Sequence, residues 1–140
     1  RGVRDELTDA YLWNSEENMD SAKLLLEAGK ARVAVSVTYY SMYYAALAAL
    51  YKVGIKCENH GGTIILLERL CGIDAAPLSK AKDERIEQQY YVSAPASETD
   101  AAMLIATAEE FNASLRAYMD GLTAKDVETM RMGFKELTGA

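Results

Sequence analysis

A chain of 140 residues, half of them apolar, is one domain and long enough to bury a core without disulfides or metal. Its formal net charge of −6 excludes a broad phosphate-binding track, which works through clustered Lys and Arg. Two cysteines, Cys57 and Cys71, and a single histidine are too few for a tetrahedral zinc site or a disulfide framework, so a reducing, cytoplasmic setting is the simplest expectation.

With two prolines and abundant Ala, Leu, Glu and Lys, the composition favours helix over sheet. The chain opens at Arg1 without a methionine or a charged-then-apolar leader, and no signal peptide is read from it. The periodicity predicts a first helix over residues 5–28. Leu7, Ala10, Tyr11, Asn14, Met19, Ala22 and Leu25 or Leu26 face inward, its carboxylates outward, and Gly29 is the C-cap.

A central helix follows Lys30 and stops at Gly54. Val33, Val37, Tyr40, Tyr44, Leu47 and Tyr51 form one of its faces; Val35, Tyr39, Met42, Ala46, Ala49 and Val53 form another; Ser36, Tyr43 and Leu50 lie between. A helix apolar on all sides is a buried, central one. Burial of so many phenols requires hydrogen-bond partners, from a polar network or along a shared cleft. The tyrosines and Ser36, Thr38 and Ser41 interrupt its apolar run before the roughly 18 residues of a membrane span, so a soluble protein is expected.

Asn59 or Glu58 caps a third helix over 60–70, which ends at Gly72. Gly61 and Gly62 in its first turn lower helix propensity and point to the close approach of another backbone or a ligand. Pro77 fits the first turn of a fourth helix reaching about residue 92, and Pro95 breaks the chain. Ser97 and Asp100 open a fifth helix with a capping box. Ala101, Leu104, Ile105, Ala108, Phe111, Leu115 and Tyr118 mark its inner face. Beyond Gly121, Thr123 caps a short last helix over 124–137 whose Val127, Met130, Met132 and Phe134 are weakly patterned. The fold predicted is all-α: an antiparallel up-and-down bundle of four to five main helices over residues 1–120, with 121–140 as a C-terminal helical extension.

Spacing alone yields no catalytic motif: no phosphate-cradling Gly loop with a Lys, no paired histidines on a helix, no serine nucleophile elbow. Cys57 and His60 stand close enough to meet across a turn as thiolate and base, yet packing and capping explain them better. Lys80, Lys82 and Arg85 form a local basic group diluted by Asp83, Glu84 and Glu87. Arg85, followed on the next turn by Gln89 and Tyr90, either lies on a solvated face or turns its fork into an interhelical groove to meet a carboxylate or phosphate. Glu16, Glu17 and Asp20 read as a solvated face, and without a Glu-x-x-His pair a di-iron bundle is not expected.

The order of these landmarks resembles the HEPN domain: Ala22, Leu25, Leu26, Ala28 and Gly29; Ala31-Arg32-Val33-Ala34; Thr38-Tyr39-Tyr40-Ser41-Met42-Tyr43-Tyr44-Ala45-Ala46-Leu47; Gly54; Asn59-His60-Gly61; and Arg85 with Gln89-Tyr90. The likeness covers roughly residues 10 to 120 and is strongest to small, stand-alone prokaryotic members, many of them archaeal. It implies an antiparallel bundle that pairs into a homodimer with a cleft near the dimer axis. It also implies, as for many relatives, a minimal nucleotidyltransferase partner in a toxin–antitoxin pair.

Ribonuclease members carry an arginine separated from a following histidine by four to six intervening residues. Here Ile55, Gly54 and Val53 hold those places before His60, and no other histidine exists, so the pair that supplies acid–base chemistry and phosphate stabilisation is missing. His60 is similar to the histidine with which non-nuclease relatives start the third helix, as a helix-start and interhelical hydrogen-bond residue. Arg85 and Tyr90 match the family's arginine and tyrosine, while Gln89 replaces a frequent aspartate and removes a charge partner for Arg85.

The expectation is therefore a non-catalytic interaction module, with no catalytic residue, no metal and no cofactor. His60, Arg85, Tyr40, Tyr44, Tyr90 and Asn59 line or brace its cleft. A homodimer, a nucleotidyltransferase and a nucleotide are its expected partners, RNA a weaker one, and a membrane none. The alternative is an RNA-cleaving toxin with an atypical site built on His60 and Arg85.

Overall fold

The structure is a computed structural model describing residues 3–90 and 95–139. Six helices occupy them: α1 (Val3–Glu27), α2 (Ala31–Lys52), α3 (His60–Cys71), α4 (Ala76–Tyr90), α5 (Glu98–Asp120) and α6 (Ala124–Thr138). No strand occurs among the described residues, so the expected all-α bundle is the fold. The fourth helix was expected to reach residue 92, which lies outside the described residues.

The termini follow local chemistry. Gly29 takes φ +76 in the reversal between α1 and α2, where the Gly29 and Lys30 amides donate to the Leu26 and Leu25 carbonyls; a side chain there would be strained. Asn59 Oδ1 accepts from the Gly62 amide at 2.9 Å and fixes the start of α3. Ser97 with Asp100, and Thr123 with Asp126, form full capping boxes on α5 and α6.

The centre is α2, packed against α1, α3, α4 and α5. Ala34, Ala45, Ala46, Ala48 and Ala49 are fully buried, and their small size lets neighbouring helices approach closely. By length and composition α2 is apolar enough to cross a membrane, which corrects the expectation that its tyrosines and hydroxyls rule this out. Most of it is nevertheless buried against the other helices, so the bundle itself accounts for its apolarity.

The inner face of α1 also differs from its hydrophobic pattern. Leu7 and Ala10 point outward, while Thr8, Ser15, Met19 and Ala22 are buried. The reason is a polar knot where α1, α2 and α5 meet. Ser15 Oγ donates to the Ser41 carbonyl and Ser41 Oγ to the Ser15 carbonyl, each at 2.7 Å. Both hydroxyl protons are thus committed, so the Asn112 amide turns its Nδ2 toward their oxygens, 3.0 Å from Ser41 Oγ and 3.5 Å from Ser15 Oγ. Small hydroxyl side chains fit a close crossing and satisfy one another within it.

The last helix is held more lightly. Val127, Met130 and Phe134 pack on the core, Tyr118 donates to Met130 Sδ at 2.9 Å, and Met132 is exposed. No residue of α6 is fully buried.

Candidate functional site

Three helices converge around His60. On α2, Tyr39 and Tyr43 are one turn apart and Tyr40 is next to the first, so all three rings reach the same side. Asn59, by capping α3, makes His60 its first helical residue. From α4 come Lys82 and Arg85, one turn apart.

Tyr39 is completely buried, and its hydroxyl lies 2.5 Å from His60 Nδ1. The Tyr43 ring stacks on the imidazole with centroids 4.1 Å apart, and Tyr40 meets it edge-on at 6.4 Å. The Arg85 guanidinium sits 5.1 Å from the Tyr40 ring centroid and 5.7 Å from that of Tyr39. Such cation–ring contacts contribute about 0.5–1 kcal/mol where water has access.

The proton on the Tyr39–His60 contact can be assigned. Burial pushes the Tyr39 phenol well above its ordinary value, with Tyr43 adding to the effect, so it keeps its proton. Burial lowers the His60 imidazole, and Lys82 and Arg85 lower it further, so at neutral pH it is uncharged. Tyr39 therefore donates to Nδ1, and His60 carries its hydrogen on Nε2. The α3 N-terminus, the positive end of the helix dipole, opposes an imidazolium in the same way. Tyr43 is also raised by burial, with a Thr63 hydrogen bond opposing the shift.

Of the residues expected to line a cleft, the structure brings His60, Arg85 and Tyr40 together. Tyr44 lies at the edge, 6.5 Å from Tyr40 and 6.3 Å from Tyr43, and stacks on Tyr11 of α1 at 6.3 Å. Asn59 is close by but spends its side chain on the cap. Tyr90, 65% exposed at the end of α4, shares none of the cluster's ring contacts. Tyr39, Tyr43 and Lys82 are the members that the sequence pattern left out of the site. The available signal was the spacing of Tyr39 and Tyr43, together with the need of a buried phenol for a partner in a chain with one histidine.

Gly62 has a local steric cause: a Cβ there would stand 3.1 Å from Cys57 Sγ, whereas one on Gly61 would meet Asn59 Oδ1 at 3.4 Å, an ordinary contact. The Cys57 thiol donates to the Asn59 carbonyl at 3.4 Å and has no hydrogen bond to His60, so the geometry gives no thiolate–base pair.

A helical bundle built around a tyrosine-rich second helix, with a histidine opening the third, defines the class, and comparison with known proteins agrees. The model of the HEPN domain matches residues 8–118. A UPF0332 protein of Archaeoglobus fulgidus is 32% identical over 113 residues, covering 76% of this chain and 90% of the relative. Another from Gloeobacter violaceus is 30% identical over 105 residues, 69% of this chain and 83% of the relative. A third, from Pyrococcus horikoshii, is 44% identical over 59 residues, and there the match spans 42% of either chain. The chain belongs to the HEPN domain family.

Proposed function

We propose that the protein is a non-catalytic, homodimeric interaction module of the cytoplasm that acts with a minimal nucleotidyltransferase, and that the His60–Arg85–tyrosine face is its contact region. The observation that carries this reading is the state of His60. Its Nδ1 is occupied by Tyr39, its ring is stacked on Tyr43, and it resists protonation, which suits a bracing residue better than a proton shuttle cycling near neutral pH. Arg85 rests on tyrosine rings, a posture suited to reaching across an interface.

Co-purification of the tagged chain with a co-expressed nucleotidyltransferase tests the proposal, with the oligomeric state measured at micromolar concentration. Capture that Arg85→Ala weakens supports it; a strictly monomeric chain that captures no such partner removes it.

A second reading is RNA cleavage through an atypical set. It is favoured by one observation: His60 and Arg85 pack on the same two rings, Tyr39 and Tyr40. It requires cleavage by the parent that His60→Ala abolishes while the helical signal and melting persist. Cleavage that survives this substitution, or its absence in the parent, eliminates it.

A further inference from the structure

We infer that the cleft between α1 and α5 binds a small aliphatic amine in its ammonium form, held by the Asn112 side-chain carbonyl and the Asp20 carboxylate. This site goes beyond the interaction module and is independent of it, since the His60 cluster is built from α2, α3 and α4.

The Asn112 amide has one committed end and one uncommitted end. Its Nδ2 donates to Ser41 Oγ at 3.0 Å. The amide cannot turn over, because both serine hydroxyl protons already go to carbonyls and their oxygens can only accept. Its Oδ1 is therefore fixed on the other side, buried, and without a hydrogen-bond donor among the described residues. Asn112 is only 6% exposed and lines a cleft of about 150 Å³ between α1 and α5. A buried acceptor demands a donor, and this one lies beside an opening from which a donor can arrive.

The charges along the cleft define that donor. Arg116 pairs with Glu16 at 2.8 Å and Lys23 with Glu109 at 3.1 Å, so an ion pair crosses from α1 to α5 at each end. Between these two rungs stand Asp20, one turn from Glu16, and Asn112, one turn from both Arg116 and Glu109. Asp20 lines the cleft and has no cation within ion-pair distance among the described residues. The middle rung thus offers a carboxylate and a carbonyl, two acceptors with no donor between them. An ammonium has three N–H donors and no acceptor, and it completes the rung with a charge-assisted hydrogen bond to each oxygen.

A divalent metal does not suit the place. It takes about six oxygen ligands, and no metal-holding group of side chains exists among the described residues. The cleft is too roomy for a bare ion, and Met19 and Ala113 give it apolar walls along which a short methylene stem lies. A net charge of −6 also concentrates small cations at the surface.

The test is calorimetry and NMR of the full chain at pH 7, with butylammonium, 1,4-diaminobutane, butanol and potassium chloride as probes. Both amines should bind at millimolar concentration and shift the Asn112 side-chain carbonyl carbon and amide resonances, and butanol and potassium should not. Asp20→Asn, at an exposed position, should weaken amine binding by roughly fivefold. Ala113→Leu fills the cleft without touching its charges and should abolish binding, whereas Glu136→Gln on α6 should leave it unchanged.

Tighter binding of the diamine identifies a dication as the ligand, and equal affinity identifies a monoamine. Equal shifts from potassium, equal losses from Glu136→Gln, or amine binding that leaves the Asn112 resonances in place overturns the inference. Failure of both amines to bind would remove this site and leave the interaction module standing.

Discussion

The Tyr39 hydroxyl and His60 Nδ1 lie 2.5 Å apart across 21 residues, joining the middle of α2 to the first residue of α3. One end of this contact is fully buried and the other is partly exposed. It therefore couples the core of the bundle to its candidate site, and the protonation state of a single imidazole decides whether it forms.

That coupling predicts a pH dependence. The His60 imidazole is held below its ordinary 6.5 by burial, then by Lys82 and Arg85. Between its folded value and 6.5, the unfolded chain binds more protons than the folded one, so stability rises with pH across that window. The contribution is complete above 6.5 and is lost as pH falls through the folded value. Urea midpoints should decline from pH 7.5 to pH 5, and His60→Gln, which cannot charge, should decline less. Equal slopes in the two proteins would contradict the assignment.

Removing only the hydroxyl separates the bond from the ring. Tyr39→Phe keeps the contacts with Tyr40, Tyr43 and Arg85, and the partly exposed Nδ1 can find water. Its cost should be about 1 kcal/mol, a fall in Tm of roughly 3–4 °C. Tyr39→Ala removes a buried ring and should cost about 3–5 kcal/mol. Equal losses in calorimetry would mean that the hydroxyl, and not the ring, holds this junction.

Much of this architecture is legible in the sequence. Gly29, Gly72, Asn59, Ser97 and Thr123 mark helix ends through local chemistry and act as expected. The inner face of α1 is not legible, because a hydrophobic pattern ranks Leu7 above Ser15. What buries Ser15 is a serine 26 residues away and an amide 97 residues away. Within the site, His60 and Arg85 stand out as the lone histidine and an arginine in a mixed-charge stretch. Tyr39 does not, because a buried phenol looks like core until its hydrogen-bond partner is known.

The Ser15–Ser41–Asn112 knot should respond cooperatively. Ser15→Ala or Ser41→Ala alone should cost about 1 kcal/mol, since the freed carbonyls remain inside helices and Asn112 Nδ2 keeps one oxygen. In the double variant the buried Nδ2 has no acceptor, adding roughly 1–3 kcal/mol beyond the sum. Asn112→Leu placed on that background should recover part of the loss. Additive unfolding free energies would show that the amide has another acceptor.

Two similar caps should fail differently. Ser97 and Thr123 each accept from the amide three residues on, at 3.0 and 3.1 Å, and losing either costs its helix about 1 kcal/mol. The face of α5 is core, so Ser97→Ala should lower global stability. By contrast, α6 buries no residue completely, so Thr123→Ala should speed amide exchange in α6 and leave the global midpoint nearly unchanged. A global loss from Thr123→Ala would show that α6 folds as part of the bundle.

The start of α3 offers a test of steric coupling. Gly62 is helical with no positive φ, so alanine is conformationally allowed there and should gain roughly 0.5–1 kcal/mol from lower unfolded-state entropy. The new Cβ meets Cys57 Sγ at 3.1 Å, and the thiol must shift off the Asn59 carbonyl to make room. In a Cys57→Ala background the obstacle is gone and the full gain should appear. Gly62→Ala should therefore stabilise the Cys57→Ala protein more than the parent in a double-mutant cycle. The Tyr43–His60 stack provides a second readout, because tilting α3 to relieve the clash would change the His60 ring resonances in the single variant and leave them in place in the double. Identical gains in the two backgrounds would mean that the sulfur moves aside freely, and the glycine would then need a cause other than Cys57.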